Sequence, residues 1–104
     1  LSGQGSIDRE GNVVGVGDFD AQAEQVFDNL DFVLRVAGSS FRNVINVNVF
    51  VTDMSYFPRF MELRQKYFEA PYPADTIVEV NALALPELMI EIQAIAVVDE
   101  VRPE

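Results

Sequence analysis

Two carboxylates stand out as candidates for chemistry because of the residues around them. Glu91 lies in a predicted strand that otherwise holds apolar residues and one glutamine, and Asp75 follows a proline-rich loop. If the two carboxyl groups share a cleft, their repulsion should raise the pKa of one of them. Such a pair can act as general acid and base, or hold a cationic amine. The alternative is structural: Glu91 would pair with a cation in a wet interior, and Asp75 would cap a turn.

The composition excludes several other kinds of site. The 104 residues include no cysteine and no histidine, which excludes disulfide frameworks, thiolate zinc sites and histidine-based triads. The 17 acidic residues and 7 scattered basic residues give a net charge of −10. We therefore expect no nucleic-acid binding, which requires clustered cations. Because no apolar run approaches the ~18 residues of a membrane-spanning helix, we expect no membrane partner. The lack of cysteine fits a cytoplasmic location, which we expect.

The clearest element is a helix predicted from Asp20 to Ala37. Asp18 and Asp20 are both candidates for its N-cap. Its polar side is expected to carry Gln22 and Gln25. Apolar residues recur at spacings of three and four and form one continuous stripe: Ala23, Val26, Phe27, Leu30, Val33, Leu34 and Ala37.

The remaining pattern predicts strands and one shorter helix. A turn-rich hairpin covers residues 6–16, and a second helix begins at Pro58 and ends near Phe68. Three further strands are predicted, namely Val44 to Val51, Thr76 to Val80 and Met89 to Val98. The order ββαβαββ indicates one α+β domain over residues 1–104, with a single mixed sheet and two helices on one face.

Two features of this arrangement point beyond a single chain. In the strand from Val44 to Val51, Ile45 and the alternate valines are expected to face the helices. The opposite side of that strand carries Asn46, Asn48 and Phe50, which two helices cannot cover, so we expect a symmetric oligomer. The sequence opens at Leu1 without methionine, and we expect an N-terminal strand to be missing or truncated.

Six segments carry recognisable motifs in a fixed order along nearly the whole chain. They are Ser2-Gly3-Gln4, Ala21–Leu30, Ala37-Gly38-Ser39-Ser40, Asn48–Met54, Pro73–Val80 and Ile90–Val97. In this order they resemble the SGQ strand end, the first helix, and the AGSS, TVFLTDM, PARSxVEV and IEIEAIAV motifs of one family. That family is the reactive-intermediate deaminases, also called Rid or YjgF and described as L-PSP-type endoribonuclease-like.

The resemblance implies a chorismate-mutase-like fold and a homotrimer. Three sheets would form an inner barrel, with three clefts between subunits. Typical members of the family hydrolyse 2-imino acids, or their enamine tautomers, to 2-oxo acids and ammonia. They use no metal and no cofactor. An arginine grips the substrate carboxylate, and a glutamate in the last strand positions the water.

Carried over by residue, the resemblance assigns Glu91 to the water-positioning glutamate. Asp75 stands in the slot of the carboxylate-binding arginine, where an aspartate would repel the substrate's carboxylate. The ordinary site is therefore broken unless another cation substitutes. Arg64 is the best substitute by spacing and lies on the inner stripe of the second helix, although we expect it to be solvated. Met61 stands where many members carry asparagine.

Four further residues are predicted to bind the ligand. Gly3 and Gln4, at the SGQ strand end, would offer backbone contacts. Tyr72 would line the cleft, and Thr76 lies next to the arginine slot. Several other aromatic and polar residues near the predicted cleft are expected to serve packing instead: Tyr67, Phe68, Asn46, Asn48 and Gln93.

Three hypotheses for function stay open. The first is a cofactor-free hydrolase or deaminase of a small imine or enamine, with its substrate preference altered by Asp75. The second is a non-catalytic trimer that binds a small ligand. The third is another acid–base reaction, such as tautomerisation or hydration, performed by Asp75 and Glu91. The fold alone does not choose among them.

Overall fold

Helix α1 (Phe19–Val36) is the longest element of the computed structural model, which describes residues 3–98. Of the two candidate caps, Asp18 is the N-cap, and its Oδ1 accepts a hydrogen bond of 3.1 Å from the backbone N–H of Ala21. The helix ends before Gly38, whose φ of +80° suits a residue without Cβ. The predicted helix is thus confirmed within one residue at each end.

Gln22 departs from the predicted polar side of α1, because it is fully buried. Its Nε2 donates to the carbonyl oxygens of Gly15, at 3.1 Å, and Glu87, at 2.8 Å. Its Oε1 accepts from the backbone N–H of Met89 at 2.8 Å. The amide therefore joins the N-terminal loop, the helix and the segment before the last strand, and its burial is satisfied by three hydrogen bonds.

The four strands of the described region form one mixed sheet. They are β1 (Gln4–Gly5), β2 (Val44–Val51), β3 (Ala74–Glu79) and β4 (Ile90–Ala96). Their order across the sheet is β1-β4-β2-β3, with β2 and β3 parallel and the other neighbours antiparallel. The second helix, α2 (Phe57–Arg64), precedes β3. The predicted hairpin is reduced to one bridge between Ile7 and Val13. The α+β class is confirmed.

The core lies between the helices and one face of the sheet. Val47, Val49 and Val51 of β2 are buried there, as predicted. Ile45 was expected beside them but is 53% exposed, so that prediction is wrong. The register between β2 and β4 shifts between Val44 and Asn46, which inserts one extra residue and turns Ile45 outward. Val44 is buried in its place.

The second face of the sheet, called the open face below, carries polar and apolar side chains together. Across β2 and β4, Asn48 pairs with Gln93, and Phe50 pairs with Glu91. These four residues are only partly buried. Ile95 on the same face is exposed. The open face is therefore the surface that the sequence predicts to meet another subunit.

Candidate functional site

Glu91 lies on β4 and belongs to the open face of the sheet. Its neighbours in register are Gly5 on β1 and Phe50 on β2. The Glu91 carboxylate lies directly against the backbone of Gly3, and a Cβ added to Gly3 would overlap Oε2 and Cδ of the glutamate. The absence of a side chain at Gly3 therefore leaves the space that the carboxylate occupies, and these two predicted site residues do come together.

Asp75 is the second residue of β3 and forms an ion pair with Arg64 at the end of α2. The Arg64 side chain is 11% exposed and that of Asp75 is 19% exposed. Because Asp75 is within a strand and its carboxylate faces a guanidinium, the turn-cap alternative is wrong. The prediction that Arg64 is solvated is also wrong, because its place on the inner stripe of α2 buries it.

Two further side chains hold the Arg64 guanidinium. The ring of Tyr72 covers it, with 4.8 Å between the guanidinium carbon and the ring centroid. Nη1 also approaches the sulfur of Met61 at 4.0 Å. The Tyr72 ring is 48% exposed, so this group borders solvent on one side. We call Arg64, Asp75, Tyr72 and Met61 the arginine cluster.

The sheet separates the arginine cluster from Glu91 within one chain. Asp75 is in register with Val47, which faces the helices, whereas Glu91 is in register with Phe50, which lies on the open face. Since paired residues of adjacent strands point to the same side, the two carboxylates point to opposite sides. The structure of a single chain does not form the Asp75/Glu91 acid–base pair.

Thr76 and Gln4 also lie on different sides of the sheet. Thr76 is in register with Asn48 and therefore belongs to the open face. Gln4 is in register with Ile92, which is buried against the helices. Gln4 lines a groove there with Arg9 and Phe32, so its side chain is not beside the Glu91 carboxylate.

Tyr67 packs in the core, as expected. Its ring is stacked on Phe27 with 4.2 Å between the centroids. Burial raises the pKa of the Tyr67 phenol, and the charges of Asp28 and Glu24 raise it further. Phe68 is buried in the same cluster. Neither ring reaches the open face, which is the side of the sheet that carries Glu91.

Within the described residues, no group of three or more acidic side chains is arranged to hold a metal ion. In the same part of the chain, no helix is long and apolar enough to cross a membrane. Of the predicted site residues, Glu91 places its carboxylate on the open face, and Arg64 is neutralised by Asp75 on the other side. The Arg64–Asp75 pair was not predicted from the sequence. A basic residue on an apolar helical stripe, such as Arg64, indicates a buried partner.

The fold is that of solved Rid proteins. The crystal structure of RidA from an Antarctic Psychrobacter bacterium superposes with a TM-score of 0.85 at 37% identity, covering 92% of this chain and 76% of that one. A family profile described as Endoribonuclease L-PSP matches residues 1–98. The chain therefore belongs to the L-PSP family, which includes the YjgF and Rid proteins, as its motifs predicted.

Two relatives show the breadth of this family. A RutC family protein of Pyrococcus horikoshii is 38% identical over 96 residues, covering 92% of this chain and 75% of that protein. A 2-iminobutanoate/2-iminopropanoate deaminase of Dermatophagoides farinae is 29% identical over 99 residues, covering 95% of this chain and 77% of that protein. The chain thus spans about three quarters of the length of either relative.

Proposed function

We propose that this protein is a cofactor-free hydrolase that converts a small imine or enamine to a carbonyl compound and ammonia. The observation that carries the proposal is the Glu91 carboxylate, which lies against the side-chain-free Gly3 on the open face. A carboxylate in such a position accepts a proton from water while the water attacks the carbon of the C=N bond. The family relationship and the deaminase named among the relatives support this reaction.

The proposed cleft lies between subunits of a homotrimer. Strand β1, beside Glu91, forms one edge of the described sheet, and β3, which carries Asp75, forms the other. A ring of identical chains brings the first edge of one subunit beside the second edge of the next. The Glu91 half of one chain would then meet the arginine cluster of its neighbour. A small-molecule substrate and a cytoplasmic location remain predictions.

The substrate preference is proposed to differ from that of a 2-imino-acid deaminase. Asp75 stands where the family motif has the carboxylate-binding arginine, and the nearest guanidinium, that of Arg64, is already paired with Asp75. A second carboxylate brought beside this pair meets a guanidinium whose charge Asp75 already neutralises. We therefore expect slow turnover of 2-iminopropanoate by the native protein.

The test measures ammonia release from imines generated in situ. The substrates are 2-iminopropanoate, made from alanine by an amino-acid oxidase, and an uncharged imine of similar size, made from a primary amine by an amine oxidase. We expect Glu91→Gln to lower the enzymatic rate by about 100-fold, as is typical for loss of a general base. Glu69→Gln, which changes an exposed glutamate, is the matched control and should keep the native rate.

Two results would separate this proposal from its alternatives. Binding of the keto products without turnover of either imine would favour the non-catalytic, ligand-binding trimer. Full activity of Glu91→Gln would remove Glu91 from the reaction. The acid–base pair of Asp75 and Glu91 has less support than the hydrolase, because the two carboxylates lie on opposite sides of the sheet in one chain.

A further inference from the structure

We propose that the Arg64–Asp75 pair determines specificity by filling the carboxylate-binding position with a carboxylate of the protein's own, so that the cleft selects uncharged imines or enamines. This inference rests on the proposed function for the chemistry that follows binding. It names a substrate class, in which the group next to the C=N carbon is an amide, an alkyl chain or another neutral group.

The ion pair between Arg64 and Asp75 joins the end of α2 to the edge strand β3. Arg64 is the last residue of α2, and its side chain extends to the edge strand, where it meets Asp75. The Arg64 side chain is largely covered, whereas Asp75 keeps 19% of its side-chain exposure and is an exposed residue of the edge strand, so water screens their attraction only in part. A guanidinium binds a carboxylate through a fork of N–H donors, and the Asp75 carboxylate occupies it as a substrate carboxylate would. The pair is electroneutral and is already satisfied before a ligand arrives.

Two neighbouring side chains restrict the movement of the Arg64 guanidinium. Tyr72 lies over one of its faces, and Met61 approaches Nη1. These contacts fix the Arg64 side chain where it meets Asp75, so that turning away toward a ligand would cost both the ion pair and the ring contact. An incoming carboxylate must therefore displace Asp75 or approach it, and either event is unfavourable.

The pair at the carboxylate-binding position favours a substrate without a negative charge. An uncharged imine enters without this repulsion, and its neutral substituent can rest on the half-exposed Tyr72 ring. Water then adds to the C=N carbon, the C–N bond breaks, and ammonia leaves with two protons from the water and one already on the nitrogen. The overall reaction consumes the imine and one water and yields the carbonyl compound and ammonia, so it needs no oxidant, reductant or further reactant.

The experiment compares two product analogues of similar shape, one with a carboxylate and one with a neutral amide. Pyruvate and pyruvamide are titrated into the native protein, Asp75→Asn and the double variant Arg64→Gln/Asp75→Asn, and binding is followed by calorimetry or ligand NMR. Asp28→Asn serves as the matched control, because it makes the same change in net charge at an exposed position of α1. Thermal melting curves establish that each variant is folded.

We expect the native protein to bind pyruvamide at least as tightly as pyruvate. Asp75→Asn frees the guanidinium, so it should tighten pyruvate binding about tenfold or more, since a charge-assisted hydrogen bond contributes at least that factor. Pyruvamide affinity should change less than about threefold by the same reasoning. The double variant should bind pyruvate no more tightly than the native protein does. Asp28→Asn should bind both compounds as the native protein does.

Three results would overturn the inference: a native preference for pyruvate, an unchanged ratio of affinities in folded Asp75→Asn, or no binding of either compound to the native protein. The native comparison needs no variant and stands even if a substitution prevents folding. A pyruvamide preference without imine turnover would uphold the inference and contradict the hydrolase. Faster turnover of 2-iminopropanoate than of the neutral imine would support the hydrolase and contradict the inference.

Discussion

At the scale of single residues, the Arg64–Asp75 pair also affects stability. Removing one partner of a buried ion pair leaves an uncompensated charge, which costs about 3–5 kcal/mol when burial is complete. The two side chains here keep 11% and 19% of their exposure, so some screening remains and the expected cost is smaller. The pair should still contribute more than any ion pair on the surface of the protein.

A charge exchange tests this expectation. We expect Asp75→Arg alone to lower the free energy of unfolding by about 2–3 kcal/mol, because it faces Arg64 with a like charge. The exchanged double variant Arg64→Asp/Asp75→Arg should recover to within about 1 kcal/mol. The control reverses Glu24 and Lys66, whose side chains are 49% and 56% exposed, and should change little in any combination. Urea denaturation measures all variants, and additive costs at Arg64 and Asp75 would contradict the pairing.

A second residue-scale prediction concerns two glycines, Gly3 just before β1 and Gly5 within it. Gly3→Ala should displace the Glu91 carboxylate, because the added Cβ would overlap it, and lower imine hydrolysis about tenfold or more, as misplacement of a catalytic group does. The stability should change little, since the carboxylate can move aside. Gly5→Ala is the control: its added Cβ would meet Leu88 at 3.2 Å and not Glu91. Equal losses of activity in both variants would show a general effect of the strand instead.

At the scale of elements, Gln22 is the residue that joins α1 to the chain on either side of it. Replacing it with leucine removes one acceptor and two donors and leaves the N–H of Met89 and two carbonyls without these partners. An unsatisfied buried polar group costs about 1–3 kcal/mol, so we expect a loss of about 2–4 kcal/mol in the free energy of unfolding.

The control for Gln22→Leu is Gln25→Leu, on the same helix. Gln25 is partly exposed and donates one hydrogen bond to Asn29. Its replacement should cost less than about 1 kcal/mol. Chemical denaturation compares the two variants, and similar losses would mean that the buried amide contributes no more than an ordinary surface glutamine.

The elements themselves followed from periodicity, whereas the contacts among them did not. The apolar stripe of α1 predicted its ends, and the alternation in β4 predicted which residues are buried. Ile45 was misplaced because a bulge shifts the register, and nothing local in the sequence marks that bulge. The burial of Gln22 and Arg64 was mispredicted for a related reason. Periodicity shows which face of a helix is buried, but it does not show whether a polar residue near that face has hydrogen-bonding partners. Such a residue is buried only if distant backbone or side-chain groups satisfy it. The expectations about Leu1 and Ser2 lie outside the described residues.

At the scale of the whole molecule, net charge argues against a ribonuclease. The family description names an endoribonuclease, yet the chain has a net charge of −10 and no histidine. Its seven basic residues include Arg59 and Lys66, which are already paired with acidic side chains. We expect no binding to RNA at physiological salt, measured by fluorescence anisotropy of a labelled single strand, because phosphate contacts require clustered cations. Salt-sensitive binding, or cleavage by the purified protein, would contradict this.

The open face and the two unlike edges of the sheet predict the assembly. Light scattering should give about 35 kDa, three times the 11.6 kDa of one chain, since a closed ring of identical subunits covers every open face in the same way. A monomer at micromolar concentration would contradict the trimer. The proposed cleft depends on the predicted trimer, because one chain holds Glu91 and Asp75 on opposite sides of its sheet.

Mixed trimers test whether each cleft takes Glu91 from one subunit and the arginine cluster from the next. The double variant Glu91→Gln/Asp75→Asn lacks the water-positioning carboxylate but has a free Arg64, and the native chain has the carboxylate but a paired Arg64. Neither trimer alone should hydrolyse 2-iminopropanoate well. If the two chains are unfolded together in equal amounts and refolded, about a quarter of the clefts combine a native Glu91 with a freed Arg64 by random assembly. Ammonia release should then rise well above that of either parent. Mixing the native chain with Glu91→Gln alone is the control and should give no rise. The opposite outcome is no rise in ammonia release from the mixture of the native chain with the double variant, while the Asp75→Asn trimer alone is active. That result would mean that both halves of the cleft come from the same chain.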